Sequence, residues 1–559
     1  MLISSRITIF ALLLALSVFG ASGDPVRSSD GMVVSASKLA SDVGAEILWK
    51  GGNAIDAAVA TGFALAVTHP TAGNLGGGGF MVIHLENGKN TTIDFREKAP
   101  ASTHKNIYLD KDGNFNPSLS TKGYTSSGVP GSVEGLLFAL EKYGTMSLQE
   151  VIQPAISLAK NGFPIEYRFA ESLSSNLEVF NHYPSTAAIF TNKGKKFNEG
   201  DTLFQTDLAA TLEMIKLHGR KGFYEGKIAG LIAEQSLSGG GYITTEDLKE
   251  YRCRERVPIH GFYKGYEIIS MGPPSSGGIA VVQTLNVMER FNFSADDWNS
   301  SEYIHTLVEI LKRVYADRAE HLGDIDFYPV PIDWLTSKIY SDEIFSKIGE
   351  NATPSSEIKA GIPIPEESEE TTHFSVMDKF GNAVSTTVTL NSSYGNKIVV
   401  EGAGFLLNNE MDDFSAKPGT PNQFGLVGSE ANAIEPGKRM LSSMTPTILL
   451  KDNKPFMVIG SPGGSTIITV VLQCVLNVAD FKMNISEAVG AAKIHHQWLP
   501  DEIYYEEYGL SLDVINNLRE RGHIINSKRV LGRAEGILFK DGVFTGATDP
   551  RGYGKASGL

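Results

Sequence analysis

The sequence predicts an α+β fold in which helices cover a pair of largely antiparallel sheets. Three observations support this prediction. Helical periodicity dominates two long parts of the chain, strand-like segments cluster in two blocks, and tight turn signals such as Asn87-Gly88 separate neighbouring strands. Helices outside two blocks of strands can bury the exposed face of each sheet, which favours a layered domain. Of the 559 residues 42% are hydrophobic, so the chain can form a large core.

The first 23 residues are typical of a signal peptide. Arg6 precedes an apolar run over residues 7–19, and the small residues Ala21, Ser22 and Gly23 follow it. The run is shorter than the ~20 residues that a membrane-spanning helix needs. We therefore expect export to the periplasm or the medium, with a mature chain that begins near Asp24. An uncleaved N-terminal anchor in the membrane is the alternative.

Charge and cysteine content exclude several classes of protein. The net charge of −15 argues against nucleic acid as a partner, because nucleic-acid binding needs a basic surface. Two cysteines in a chain of this length do not form a disulfide framework. Cys474 lies in an apolar helix-like run and is expected to be a buried thiol, although a bridge to Cys253 remains open. His495 and His496 are adjacent and point in different directions, so we expect no metal there.

The N-terminal half is predicted to be mostly helical around one early hairpin. Residues 38–69 indicate two helices, separated by Gly51 and Gly52 and ended by Pro70. Residues 80–85 and 91–95 alternate as two strands joined by a turn. Residues 131–320 have helical periodicity, interrupted by a strand pair within residues 260–271.

The C-terminal part is predicted to be rich in strands. Residues 352–370 contain several Pro, Ser and Glu and indicate an exposed linker. Strand pairs follow at residues 373–378 with 383–391, at 446–452 with 454–460, and within 534–554. A helix is predicted to begin at Ser465.

Thr371 follows the linker directly and begins the first of these strands. If the chain is cut after Glu370, Thr371 gains a free α-amino group beside its own hydroxyl. The hydroxyl is a weak nucleophile that needs a base, and an α-amino group with a pKa of roughly 8 can act as that base. The alternative is that Thr371 only opens a strand, where β-branched residues are common.

Charged residues in two other segments could bind a zwitterion. The planar fork of Arg96, at the end of a predicted strand, suits a carboxylate, although a surface salt bridge is the alternative. Glu410 and Asp413 are three residues apart, so one turn could present both to an ammonium group. A solvated acidic loop is the alternative for this pair.

Hydroxyl and glycine residues close to later strands complete the set of candidates. Ser442 and Ser443 offer adjacent hydroxyl groups, or else serve an ordinary turn. Gly463 and Gly464 lie between a strand and a helix and could aim backbone N–H groups at a developing oxyanion. Their alternative is a connecting turn capped by Ser465.

Several long motifs resemble the γ-glutamyltransferase (γ-glutamyl transpeptidase) family of N-terminal-nucleophile hydrolases. In chain order they are "GGNAIDAAVATGFALAVTHPTAGNLGGGGFMV", "TTHFSVMDKFGNAVS", "LLNNEMDDFSAKPG", "LSSMTPTI", "GSPGGS" and "HHQWLPDE". The resemblance covers nearly the whole mature chain. It implies a four-layer αββα sandwich and a precursor that cuts itself before Thr371. The large subunit would span residues 24–370 and the small subunit residues 371–559, intertwined as one heterodimer.

The resemblance also implies roles for individual residues. These are Thr371 as the nucleophile, Thr389 as its hydrogen-bond partner, Arg96, Ser442 and Ser443 for the α-carboxylate of the substrate, Asn391, Glu410 and Asp413 for its α-amino group, and Gly463 and Gly464 for the oxyanion hole. The implied substrates are glutathione and other γ-glutamyl compounds, with water, an amino acid or a dipeptide as acceptor. No metal or organic cofactor is implied. Phe424 occupies a loop that resembles the family's lid, where some bacterial relatives have a tyrosine. Phenylalanine lacks the tyrosine hydroxyl, so the resemblance does not determine how this lid closes over the pocket.

Two other functions remain open on the sequence alone. An exported binding protein for amino acids or peptides could use Arg96 and Asp413 without any chemistry, and it would not need cleavage before Thr371. A related acylase could hydrolyse glutaryl or poly-γ-glutamyl amides. Such substrates can lack the free α-amino group that Glu410 and Asp413 are expected to bind.

Overall fold

A computed structural model describes residues 23–359, 371–417, 419–420, 422–423, 426 and 428–559. The signal-peptide prediction apart from its last residue, the end of the predicted linker up to Glu370, and Phe424 lie outside the described residues. Within the described residues, no helix combines the length and the apolar composition that a membrane crossing requires.

The strands of the described residues belong to two large and two small sheets. They are β1 (Val26–Ser28), β2 (Gly31–Ser35), β3 (Gly78–His84), β4 (Asn90–Asp94), β5 (Phe163–Pro164), β6 (Thr202–Leu203), β7 (Arg254–Arg256), β8 (Ile259–Tyr263), β9 (Tyr266–Ser270), β10 (Thr372–Asp378), β11 (Ala383–Thr389), β12 (Thr447–Lys451), β13 (Lys454–Gly460), β14 (Ile494–His495), β15 (Ile503–Glu506), β16 (Ile525–Lys528), β17 (Glu535–Lys540), β18 (Val543–Thr548) and β19 (Lys555–Gly558).

Along the chain, the α-helices lie mainly between the strand-rich segments. In space, they cover the outer faces of the sheets. They are α1 (Lys38–Trp49), α2 (Ala54–Thr68), α3 (Pro117–Thr121), α4 (Ser132–Tyr143), α5 (Leu148–Asn161), α6 (Tyr167–Ser175), α7 (Leu177–His182), α8 (Pro184–Phe190), α9 (Thr206–His218), α10 (Lys221–Tyr224), α11 (Gly226–Ser238), α12 (Thr245–Glu250), α13 (Gly277–Met288), α14 (Ser301–His321), α15 (Ile332–Leu335), α16 (Lys338–Phe345), α17 (Ile467–Ala479), α18 (Ile485–Gly490) and α19 (Leu512–Glu520). Short 3-10 helices cover Tyr124–Ser126, Ala295–Asp297, Ser355–Glu357, Glu410–Asp413, Glu430–Asn432 and Gly464–Thr466.

Two seven-stranded antiparallel sheets form the centre of the molecule. The first has the order β1-β18-β17-β13-β12-β9-β8 and the second has the order β19-β2-β10-β11-β3-β4-β7. Strands β10 and β11 of the second sheet pack against β13 of the first. Helices α1, α2 and α4 cover the outer face of the second sheet, and α13, α17 and α18 cover that of the first. The predicted αββα sandwich is therefore confirmed.

Helix α2 shows why the sequence forms these layers. The side chain of Asn53 accepts backbone hydrogen bonds at the N-terminus of α2, and the carboxylate of Asp56 accepts one in return from the N–H of Asn53, which completes a capping box. All of the side chains of α2 are buried, because it lies beneath α1 and α5 as well as on the sheet. A helix that is apolar all round is expected in such an interior position.

The strand pairs predicted in both halves are present, with small differences at the ends. Strand β4 ends at Asp94, so Arg96 lies two residues beyond the strand rather than at its end. The helix predicted to begin at Ser465 begins at Ile467, because the preceding residues Gly464–Thr466 form a 3-10 turn. Cys474 is buried in α17 as predicted, and both Cys253 and Cys474 are free thiols.

Candidate active site

The hairpin of β10 and β11 brings Thr371 and Thr389 to one end of the central sheet. Thr372, the first residue of β10, pairs with Val388, the penultimate residue of β11. The antiparallel register therefore places Thr371 beside Thr389, one step further along the hairpin. Both residues line a cavity of about 320 Å³ that opens to the surface.

The cavity gathers residues from segments that are far apart in the sequence. The predicted site residues that line it are Arg96, Thr371, Thr389, Asn391, Glu410, Asp413, Ser442, Ser443 and Gly464. Gly463 precedes Gly464 in the same turn but is not among the described residues that line the cavity. Four lining residues were not predicted: Arg318, Leu426, Met444 and Ile467.

Arg96 forms the centre of a buried ion-pair cluster. Its side chain is fully buried, and its guanidinium donates hydrogen bonds to the carboxylates of Glu410 and Asp413. The two acids lie on one 3-10 helix, whose three residues per turn place them on the same side. Arg96 is thus not in a surface salt bridge, and the two acids are not in a solvated loop.

A third carboxylate, that of Glu97, lies within the same cluster. Its Oε2 atom is 3.5 Å from Nη1 of Arg96. Both carboxylate oxygens of Glu97 and the Oε2 atom of Glu410 lack a hydrogen-bond partner among the described residues. Glu97 was not predicted, because a glutamate is usually an exposed surface residue and no local pattern distinguishes this one.

Burial sets the protonation of this cluster. Burial raises the pKa of Glu97 to about 7 although the nearby guanidinium of Arg96 opposes the rise. Burial also raises the pKa of Glu410 far above its ordinary value, and that of Asp413 above its own, again against Arg96. Burial alone would lower the pKa of Arg96, but the three carboxylates raise it, so the guanidinium stays charged. The cluster has more acids than bases and readily holds protons.

The hydroxyl groups of Ser442 and Ser443 border the same cavity. The Oγ atom of Ser442 accepts a hydrogen bond of 3.1 Å from the backbone N–H of Met444. The Oγ atom of Ser443 accepts one of 3.1 Å from Nη2 of Arg318, which lies in the last turn of α14. Arg313 of the same helix binds Glu309 instead. The pattern of charged and apolar residues along α14 does not indicate which of the two arginines reaches the cavity.

Gly463 and Gly464 form the sharp turn between β13 and α17. Their φ angles of 139° and 53° lie in the region that favours glycine. A Cβ atom on Gly463 would lie 2.4 Å from Oγ1 of Thr466. The alternative reading, a turn capped by Ser465, is not supported, because the hydroxyl of Ser465 donates to the Oε1 atom of Gln497 at 2.6 Å. The turn places the backbone of Gly463 and Gly464 just before the N-terminus of α17.

Asn391 is held in an unusual backbone conformation next to Thr389. Its φ angle is 75°, a value that asparagine tolerates better than most residues. Its backbone N–H donates to Oγ1 of Thr389 at 2.7 Å, and its Nδ2 atom donates to the carbonyl of Asn409 at 2.9 Å. The carbonyl of Thr389 also accepts a hydrogen bond of 2.8 Å from Nδ2 of Asn74. These bonds fix the end of β11 at the cavity.

The two adjacent histidines are engaged by other groups. The ring of His495 lies within hydrogen-bond distance of Thr469 and Gln497, at 2.9 Å for each. The ring of His496 accepts from the backbone N–H of Trp498 at 3.0 Å and contacts Asp501 at 3.2 Å. Across the part of the chain that the structure describes, no group of three or more His, Cys, Asp or Glu side chains is arranged to hold a metal ion.

The two packed antiparallel sheets with helices on both outer faces form the fold of the N-terminal-nucleophile hydrolases. A solved structure of a cephalosporin acylase from Bacillus halodurans has the same fold, with a TM-score of 0.86 at 27% sequence identity, and the match covers 97% of this chain and 98% of the acylase.

The particular family follows from sequence. The family model for γ-glutamyltranspeptidase matches residues 40–559, and the chain belongs to this family of enzymes. A glutathione hydrolase proenzyme of Escherichia coli strain K12 is 50% identical over 530 residues, which cover 94% of this chain and 91% of that protein. The structure of the γ-glutamyltranspeptidase of Helicobacter pylori is similar at 49% identity, with a TM-score of 0.58, over 61% of this chain and 97% of that chain.

Proposed function

We propose that this enzyme is a glutathione hydrolase and γ-glutamyltransferase in which Thr371 is the nucleophile. One observation carries the proposal: Thr371 lines the same cavity as Arg96, Glu410 and Asp413. A nucleophile therefore lies within reach of a buried set of charges that matches the two charges of an amino acid.

The enzyme first processes its own chain. The hydroxyl of Thr371 attacks the carbonyl carbon of Glu370, the acyl group moves from nitrogen to oxygen, and water then hydrolyses the ester. The products are a large subunit that ends at Glu370 and a small subunit that begins with the free amino group of Thr371. Because β10 pairs with β2 and β11 pairs with β3, the β10–β11 hairpin of the small subunit lies between strands of the large subunit within one sheet. This interleaving supports a stable heterodimer.

Recognition of the donor substrate exchanges one set of ion pairs for another. The α-carboxylate of a γ-glutamyl compound binds Arg96 with the hydroxyls of Ser442 and Ser443. Its α-ammonium group binds Glu410 and Asp413 with Asn391. The unsatisfied Oε2 atom of Glu410 supports this assignment, because a buried acceptor without a partner is costly and an ammonium group has three N–H donors.

Catalysis then uses groups of the chain alone. The α-amino group of Thr371 takes the hydroxyl proton, Oγ attacks the γ-amide carbonyl, and Thr389 orients the nucleophile. The backbone N–H groups of Gly463 and Gly464 stabilise the oxyanion, and each such donor is worth on the order of 3 kcal/mol. The leaving amine departs with the proton, and the resulting γ-glutamyl ester is resolved by water or by the amine of an amino acid or dipeptide.

Export of the enzyme completes the proposal. The pattern of residues 1–23 supports a signal peptide, with a periplasmic or secreted mature enzyme.

Intact-mass analysis and N-terminal sequencing of the purified protein test the proposal. Two chains are expected, the smaller beginning at Thr371, together with release of the amine from a γ-glutamyl anilide. Thr371→Ala is expected to remain one chain without activity. A single chain in the wild-type protein after prolonged incubation would contradict the mechanism.

A glutaryl-directed acylase is the second candidate, and the fold shared with the cephalosporin acylase favours it. Glutaryl anilide lacks only the α-amino group of the γ-glutamyl compound. Preference for the γ-glutamyl anilide would support the role of Glu410 and Asp413, whereas equal turnover of both anilides would support the acylase.

A further inference from the structure

Arg318 is a second buried arginine at the cavity, and no role was predicted for it. It lies near the C-terminus of α14, its side chain is almost fully buried, and it lines the cavity together with Arg96. A buried guanidinium is costly unless its donors are used, so its hydrogen-bond partners indicate what it does.

Two serine hydroxyl groups at or behind the donor pocket accept hydrogen bonds from Arg318. Nη2 donates to Oγ of Ser443 at 3.1 Å, and Nε donates to Oγ of Ser276 at 3.0 Å. The hydroxyl of Ser276 donates in turn to the backbone carbonyl of Ser442 at 2.8 Å. Arg318 therefore holds Ser443 directly and Ser442 through Ser276.

This arrangement determines which way the hydroxyl protons can point. A serine hydroxyl has one donor and accepts with its oxygen. Because Oγ of Ser443 accepts from Arg318 and Oγ of Ser442 accepts from Met444, both hydroxyls keep their own protons for another acceptor. A carboxylate, whose oxygen atoms only accept hydrogen bonds, can accept from both hydroxyl groups.

The charges around the two arginines differ. Arg96 is faced by Glu97, Glu410 and Asp413, so its charge is already paired within the cluster. The charge of Arg318 reaches into the cavity as well, since it helps to lower the pKa of Asp413 against the effect of burial. An anionic group that enters the cavity therefore gains from a second positive charge.

We propose that Arg318 is a positioning residue that makes the site selective for donors with an α-carboxylate, by orienting the hydroxyls of Ser442 and Ser443 and adding positive charge beside them. The inference rests on the proposed γ-glutamyl function. It assigns the discrimination between a γ-glutamyl group and a group without the carboxylate to a residue that need not touch the substrate.

Three anilides that differ by one group test the inference. The γ-glutamyl anilide carries both charges, the glutaryl anilide lacks the α-amino group, and the 4-aminobutanoyl anilide lacks the α-carboxylate. In Arg318→Gln we expect KM to rise about tenfold or more for the two substrates with the carboxylate, because a charge-assisted hydrogen bond is lost. We expect little change in kcat, and little change in kcat/KM for the 4-aminobutanoyl anilide.

Two further variants make the test decisive. Ser276→Ala removes the link to Ser442 without altering a residue that lines the cavity, and we expect a smaller shift of the same kind. It also serves if Arg318→Gln does not fold. Arg313→Gln removes a buried arginine of the same helix that binds Glu309, and we expect it to leave the substrate preference unchanged.

The outcomes separate this inference from the proposed function. If wild-type enzyme does not turn over the γ-glutamyl anilide, the proposed function fails. Suppose that the wild-type enzyme does turn over the γ-glutamyl anilide. If Arg318→Gln and Ser276→Ala then lose the same fraction of activity on all three anilides, or lose no activity on any of them, Arg318 has no part in recognising the carboxylate.

Discussion

Replacement of Glu97 by glutamine tests the electrostatics of the buried cluster independently of catalysis. Glu97 is fully buried, both of its carboxylate oxygens lack a hydrogen-bond partner among the described residues, and burial raises its pKa from an ordinary value of 4.5 to about 7. Glutamine has nearly the same shape but does not ionise. The variant therefore removes the titration while it keeps the packing.

The sign of the effect follows from proton linkage. A carboxyl group with a raised pKa binds its proton more tightly in the folded protein than in the unfolded chain. Between pH 4.5 and about 7 the folded state then carries more protons, so the free energy of unfolding falls as the pH rises. At about 1.4 kcal/mol for each pH unit, this difference in pKa corresponds to about 3 kcal/mol. Over a chain of this length, that corresponds to a change in Tm of about 3 °C.

The assay compares Tm with pH for the wild type and for Glu97→Gln at one scan rate. From pH 4.5 to pH 8 we expect the wild type to lose about 3 °C more than the variant. Titrating groups outside the cluster are common to both proteins and cancel in the difference, whereas the loss of the Glu97 charge also removes one cause of the raised pKa of Glu410. Parallel curves for the two proteins would refute the reasoning, since they would mean that Glu97 ionises in the folded protein as it does in water.

Three further predictions concern the reaction. Thr371→Ser is expected to process itself and to retain activity at a reduced rate, whereas Thr371→Ala is expected to stay uncut. Gel electrophoresis would show whether each variant is cleaved. Thr372→Ser is the control and should process normally. Asp413→Asn is expected to raise KM for the γ-glutamyl anilide tenfold to a hundredfold, because a hydrogen bond to a charged group contributes on the order of 1.5–3 kcal/mol. KM for glutaryl anilide is not expected to rise. Similar increases for both substrates would contradict the assignment of Asp413 to the amino group. Gly463→Ala is expected to lower kcat by on the order of a hundredfold, because a Cβ atom would lie 2.4 Å from Oγ1 of Thr466 and displace the turn, and an unchanged kcat in steady-state kinetics would contradict the oxyanion role.

The local features of the site were accessible from the sequence. Alternation of apolar and polar residues on both sides of the turn at Lys379–Asn382 predicts the β10–β11 hairpin, and a hairpin fixes its own register. The pairing of Glu410 with Asp413 on one face follows from their spacing. The start of α17 was predicted two residues early, because the glycine turn before it tightens into a 3-10 helix.

The amino-acid sequence specifies which chemical groups are present and how neighbours along the chain are arranged. It determined the strand pairs, the threonine that follows the linker, and the motifs that identify the family. These features depend on backbone periodicity and turn chemistry, which act over a few residues.

Which charges are buried together depends on the packing of the whole chain. Arg96 meets Glu410 across 314 positions of the sequence, and Arg318 meets Ser443 across 125. Whether Arg318, rather than Arg313, reaches the cavity depends on how α14 packs against its neighbours, and the protonation of Glu97 depends on the water that this packing excludes. Burial and long-range contact are properties of the whole fold, so no local pattern could reveal them.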